Sequence, residues 1–91
     1  MTRDEVLAWL HSRRPAPPET LRLRLDRAVE HRLPAPSSPL PTYLAELGRA
    51  LLDSVASKPA GGRELALDLL AADAFATYAF EAQAEEGRTD S

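Results

Sequence analysis

His11 and His31 are the only histidines in the chain, and imidazole is the side chain most often recruited as a base or a metal ligand near neutral pH. Neither sits in the spacing that such work needs. There is no His-Glu-x-x-His pair to hold zinc on one helix face, and no Glu-x-x-His pair of the kind that builds a di-iron bundle. With no cysteine in 91 residues, a thiolate ligand, a thiol nucleophile and a disulfide framework are all excluded. Neither a metal nor a cofactor is expected.

The remaining groups capable of chemistry are dispersed. Ser12, Ser37, Ser38, Ser54 and Ser57 lack the Gly-x-Ser-x-Gly context that exposes a nucleophile on a strand-to-helix turn. Asp68 and Asp73 lie in an otherwise apolar stretch, where burial could shift a carboxyl pKa. Five residues apart on a helix, they point to different sides and make no acid–base pair. Gly61-Gly62 precedes a helix and could offer amides to an anion together with Arg63. Without a strand before it or a P-loop pattern it reads as a turn. No enzyme is expected from this inventory.

Charge offers one more candidate. Residues 1–33 hold seven arginines against five acids, and residues 34–91 hold four bases against nine acids, for a net −3 overall. Arg13, Arg14, Arg24 and Arg27 could form a surface for phosphates or an acidic partner. Asp26, Glu19 and Glu30 interleave with them, and the net acidity disfavours a general nucleic-acid binder. The alternative is a basic front packed beside an acidic back.

Those side chains must be positioned by helices. Apolar residues are 44% of the chain and aromatics only 5%, so the core is built from Leu, Ala and Val. The abundance of Ala, Leu, Arg and Glu favours helix. Arg, Ala and Pro usage also points to a GC-rich, bacterial genome. The breakers Pro15-Ala16-Pro17-Pro18, Leu33 to Pro41 and Lys58 to Gly62 divide the chain into four expected helices, at about 4–13, 18–32, 42–57 and 63–86. Thr2 and Glu5 fit a capping box, Pro18 suits a first helical turn, and Gly87 would close the last helix. Residues 33–41 read as a proline-rich loop, in which Pro36-Ser37-Ser38-Pro39 also fits a Pro-x-x-Pro ligand, and residues 88–91 read as a frayed tail. Leu21-Arg22-Leu23-Arg24-Leu25 alternates like a strand, but no second strand exists to pair with it. Gly48 falls mid-helix, where it weakens the helix unless another helix approaches closely there. The expected fold is a single all-α domain over residues 1–91, a compact four-helix bundle with short N-terminal helices and a long C-terminal one.

Arg14-Pro15-Ala16-Pro17-Pro18 followed by Leu21 and Leu25 resembles linker segments of bacterial regulators of the anti-sigma type. The His and Cys ligands of the zinc-binding versions are absent, so no site residue carries over. No apolar run reaches the roughly 18 residues of a membrane span, and no signal-peptide core follows the first residues. A cytoplasmic location is the expectation.

The last helix stands out. At 100° per residue, Leu67, Ala71, Ala74, Phe75, Tyr78 and Ala82 make one apolar face. Leu65, Leu69, Ala72, Ala76, Ala79 and Phe80 make a second, nearly opposite. Either this helix is the covered centre of the bundle, or one face closes the core and the other docks on a partner. The functional expectation is a non-catalytic interaction or assembly module, most simply self-associating, with Leu67, Ala71, Phe75, Tyr78, Phe80 and Trp9 as contact residues. One alternative is a regulator that binds nucleic acid or an acidic protein through Arg13, Arg14, Arg24 and Arg27. The other is a small-molecule sensor with a pocket between helices.

Overall fold

The computed structural model describes residues 2–31, 39–57 and 62–89, with backbone alone at 63–64 and 87–89. Four α-helices and no strand are present among them: α1 (Arg3–His11), α2 (Glu19–His31), α3 (Leu40–Ser57) and α4 (Arg63–Thr89). They pack as an all-α bundle measuring 46 × 28 × 20 Å. At about 1.5 Å per residue, the 27 residues of α4 span roughly 40 Å and set the long axis.

Local chemistry explains each boundary. The Thr2 hydroxyl accepts the Glu5 N–H at 3.2 Å, and the Glu5 carboxylate accepts the Thr2 N–H at 3.0 Å, which is the expected capping box. The backbone hydrogen bond from Thr2 holds the Glu5 carboxyl below its ordinary 4.5. The cap therefore contributes above that value and fades as pH falls through the lowered one. α1 ends before Arg13, earlier than its pattern suggests. The Ser12 hydroxyl donates to the Trp9 carbonyl at 2.7 Å, and the N–H groups of Ser12 and Arg13 close onto Trp9 and Leu10.

α2 starts one residue after Pro18, whose carbonyl accepts the first bond of the helix, from the Arg22 N–H. The alternating leucines are helical. A strand would align Leu21, Leu23 and Leu25, whereas a helix turns Leu23 about 200° from Leu21. Leu25 is buried and Leu23 is 56% exposed.

α3 begins at Leu40, two residues inside the expected loop. Prolines read as breakers, but Pro41 occupies the first turn, where an N–H has no partner to lose. The Pro39 carbonyl accepts from Tyr43 and starts the ladder. Leu40 and Pro41 are consequently core residues. The rest of the proline-rich loop, including Pro36-Ser37-Ser38, lies outside the described residues. α4 begins after Gly62, whose φ of +125° is a conformation that side-chain-bearing residues rarely adopt. It runs through Gly87 to Thr89, so Gly87 does not end it. A glycine stops a helix only by turning left-handed, and among the described glycines only Gly62 has positive φ. The expected tail at 88–89 is helical, and 90–91 lie outside the described residues.

The core joins Val6 and Leu10 of α1, Leu25 and Val29 of α2, Leu44, Leu47 and Leu51 of α3, and Ala71, Phe75 and Ala82 of α4. The α3–α4 pair is the most extensive and the closest. A β-carbon on Gly48 would lie 3.1 Å from the Ala72 carbonyl oxygen and 3.3 Å from the Phe75 Cβ. Gly48 is thus where two helix backbones meet, with Ala72 and Ala76 opposite. The small-residue stripe of α4 is used within the chain.

Candidate functional site

Each predicted contact residue now has a place. Ala71 and Phe75 are fully buried in the intrachain core. Tyr78 and Trp9 are half-buried against it, and Leu67 is half-buried beside α2. The face of α4 that carries Leu67, Ala71, Phe75 and Tyr78 closes the bundle; the second face is buried at Ala72 and exposed at Leu69 and Phe80, and Leu70 is exposed outside both. Phe80 is 80% exposed, Leu69 44% and Leu70 56%.

Phe80 stands at the edge of an α3–α4 groove of about 560 Å³. Its floor is made of small residues, Ala45 and Gly48 from α3 with Ala72 and Ala76 from α4. Leu52, half exposed, and Phe80 rise as its walls, while Thr42, Arg49 and Gln83 supply a sparse polar rim. The groove exists because Ala45, Gly48, Ala72 and Ala76 carry little or no side chain along this edge of the α3–α4 contact. Sequence reasoning placed Phe80 on an unsatisfied face and anticipated a close approach at Gly48. It did not bring in Leu52 or Ala45, because they come from the facing helix.

The four arginines do not form one surface: Arg24 and Arg27 line a common concavity beside α4, while Arg13 and Arg14 lie apart at the end of α1. Arg13, freed from α1, folds its guanidinium 3.8 Å from the centroid of the Trp9 ring and donates to Glu85 at 2.6 Å. The Trp9 indole N–H also donates to Glu85, and the ring meets Tyr78 edge-on at 6.0 Å. This cluster fastens the end of α1 to α4 by cation–π, aromatic and charge-assisted contacts. Arg14 is exposed and donates to the carbonyls of His11 and Arg13. Arg24 donates from Nε to Asp68 at 2.7 Å, and the Asp68 side chain is only 6% exposed. Asp73, by contrast, faces water beside Thr77. Glu85 and Asp68 are 17 residues apart on α4, roughly 25 Å along its axis. Arg13 and Arg24 are therefore ion-paired at separate places, each joining the basic front of the chain to its acidic back. Arg27 is exposed and, like Arg14, has no ion pair among the described residues.

His11 bonds from Nε2 to both carboxylate oxygens of Asp26 at 2.9 Å, which ties α1 to α2. His31 is exposed at the end of α2. No group of three or more His, Asp or Glu among the described residues could hold a metal ion. No described helix is long and apolar enough to cross a membrane.

Burial of the Tyr78 phenol raises its pKa above the ordinary 10; Glu81 adds to the rise and Arg13 opposes it. The raised folded value favours the neutral phenol, so the contribution is complete below pH 10 and is lost as pH rises through the folded pKa. Tyrosinate absorbance should lose a late-titrating component in Tyr78→Phe. The variant should also lose less stability between pH 10 and 12 than the parent chain. Identical alkaline curves for the two proteins would refute the assignment.

No protein-family model matches the chain, and no curated protein or solved structure matches it either.

Proposed function

We propose that this protein is a non-catalytic, cytoplasmic assembly module that pairs with a second copy of itself through the α3–α4 groove. The observation that carries this reading is Phe80, a large aromatic standing 80% exposed beside a groove floored by alanine and glycine. A twofold interface requires one patch to fit itself, and a projecting ring next to a shallow apolar slot on the same face is self-complementary. Each Phe80 would fill the partner's slot over Ala76 and Gly48, with Leu52 closing the side.

Magnitudes bound the affinity. Full burial of a phenylalanine contributes about 1.5–3 kcal/mol, and symmetry doubles it. Association costs roughly 4–15 kcal/mol in lost freedom, so Leu52 and the alanines must supply much of the remainder. A weak dimer whose population depends on concentration is the expectation.

Light scattering on a sizing column over a hundredfold dilution tests it. The mass should fall from twice the 9.9 kDa chain mass towards that of one chain as concentration drops. Phe80→Glu should weaken association at least a hundredfold while leaving the melting temperature of the monomer unchanged. A single-chain mass up to millimolar concentration would overturn self-association. So would a dimer that Phe80→Glu leaves intact.

A further inference from the structure

A second concavity lies on the other side of α4, between α2, α3 and α4. It has a volume of about 450 Å³, within the range of small-ligand sites, and its lining is mixed in polarity. Leu51 and Leu67 form an apolar floor with Ala28, and Arg27 and His31 stand one helical turn apart at the mouth. The Arg24–Asp68 ion pair closes the back, so Asp68, the one acid in the lining among the described residues, already has a cation against it. Arg27 and His31 are exposed, and no hydrogen bond or ion pair occupies either among the described residues. A smaller concavity of about 210 Å³ shares Arg24, Arg27 and Leu67 and extends the apolar surface to Leu23, which is 56% exposed.

We infer that this cleft binds a small amphipathic organic anion, a carboxylate carrying a short unbranched apolar tail. The head group sits between Arg27 and His31, which offer a planar bidentate fork and a second N–H donor. The tail lies over Leu51 and Leu67 and runs out along Leu23. A wholly polar anion leaves the leucines wet, and a neutral lipid leaves the guanidinium without a partner, so the cleft selects for both features together. This site is separate from the Phe80 groove and does not depend on it.

The test is a titration of the isotope-labelled full chain, followed by amide shifts, with decanoate, decanol and acetate as probes. Decanoate should saturate, with shifts centred on Ala28, His31, Leu51 and Leu67. Decanol and acetate should each bind at least tenfold more weakly. Arg27→Ala with His31→Ala should weaken decanoate at least tenfold with an unchanged melting temperature, since both side chains are exposed. Equal binding of decanol overturns the inference, as do shifts centred on Ala76 and Phe80, or full affinity in the double variant.

Discussion

Phe75→Ala is expected to cost about 3–5 kcal/mol, a large share of the chain's stability. Phe75 is the largest fully buried side chain, placed where α4 meets the Gly48 seam of α3. Truncating it removes the transfer term of the ring and opens a cavity that two helices already in backbone contact cannot close. A domain of this size has roughly 5–14 kcal/mol of stability in all. At about 4–8 °C per kcal/mol, the melting temperature should fall by at least 12 °C. Thermal and urea unfolding followed by circular dichroism measure it. Phe75→Leu, which keeps most of the volume, should cost far less. A loss under 1 kcal/mol for the alanine variant would mean that Phe75 is not the core residue described above.

The second large effect belongs to the Arg24–Asp68 pair. Arg24→Ala should destabilise the fold by about 2–4 kcal/mol, because it strips the guanidinium from a carboxylate that is almost entirely out of water. Arg24→Lys should recover only part of this, since an ammonium on a flexible stem does not reproduce the guanidinium's fixed N–H geometry. Arg24→Met combined with Asp68→Leu should recover most of it, because apolar replacement removes the need to compensate a buried charge. Urea midpoints for the four proteins decide the matter. An Arg24→Ala cost within 0.5 kcal/mol of zero, or a double variant weaker than Arg24→Ala, would show that the pair is not what holds Asp68. The alanine variant also bears on the cleft behind which the pair sits, so the anion titration uses Arg27 and His31 instead.

Much of the architecture is written locally. Thr2 and Glu5 announce the start of α1, and Pro15 to Pro18 announce the gap before α2. Gly62 announces the start of α4, because capping and φ restriction act over a few residues. Boundaries went astray where a local signal has two meanings. Pro41 is a breaker inside a helix and harmless in its first turn, and Gly87 ends a helix only if it turns left-handed. The helical wheel alone marks Phe80, and the cost of glycine inside a helix marks Gly48 as a place of close approach. Leu52, Glu85 and the placing of Leu51 and Leu67 beside Arg27 and His31 are not visible in the sequence, because each gains its meaning from a residue on another helix.

By itself, then, the order of residues determined an all-helical chain, the approximate extent of four helices, and a final helix with more apolar surface than one core contact needs. The two faces of that helix are nearly equal in apolar character, so no wheel can rank them. The tertiary structure ranks them through shape: Phe75 fits into the seam left by Gly48, and Phe80 has no matching recess within the chain. It likewise decided the fate of the arginines. Arg13 meets Glu85 across 72 residues and Arg24 meets Asp68 across 44, and pairings at such distances are set by how the helices pack rather than by spacing along the chain.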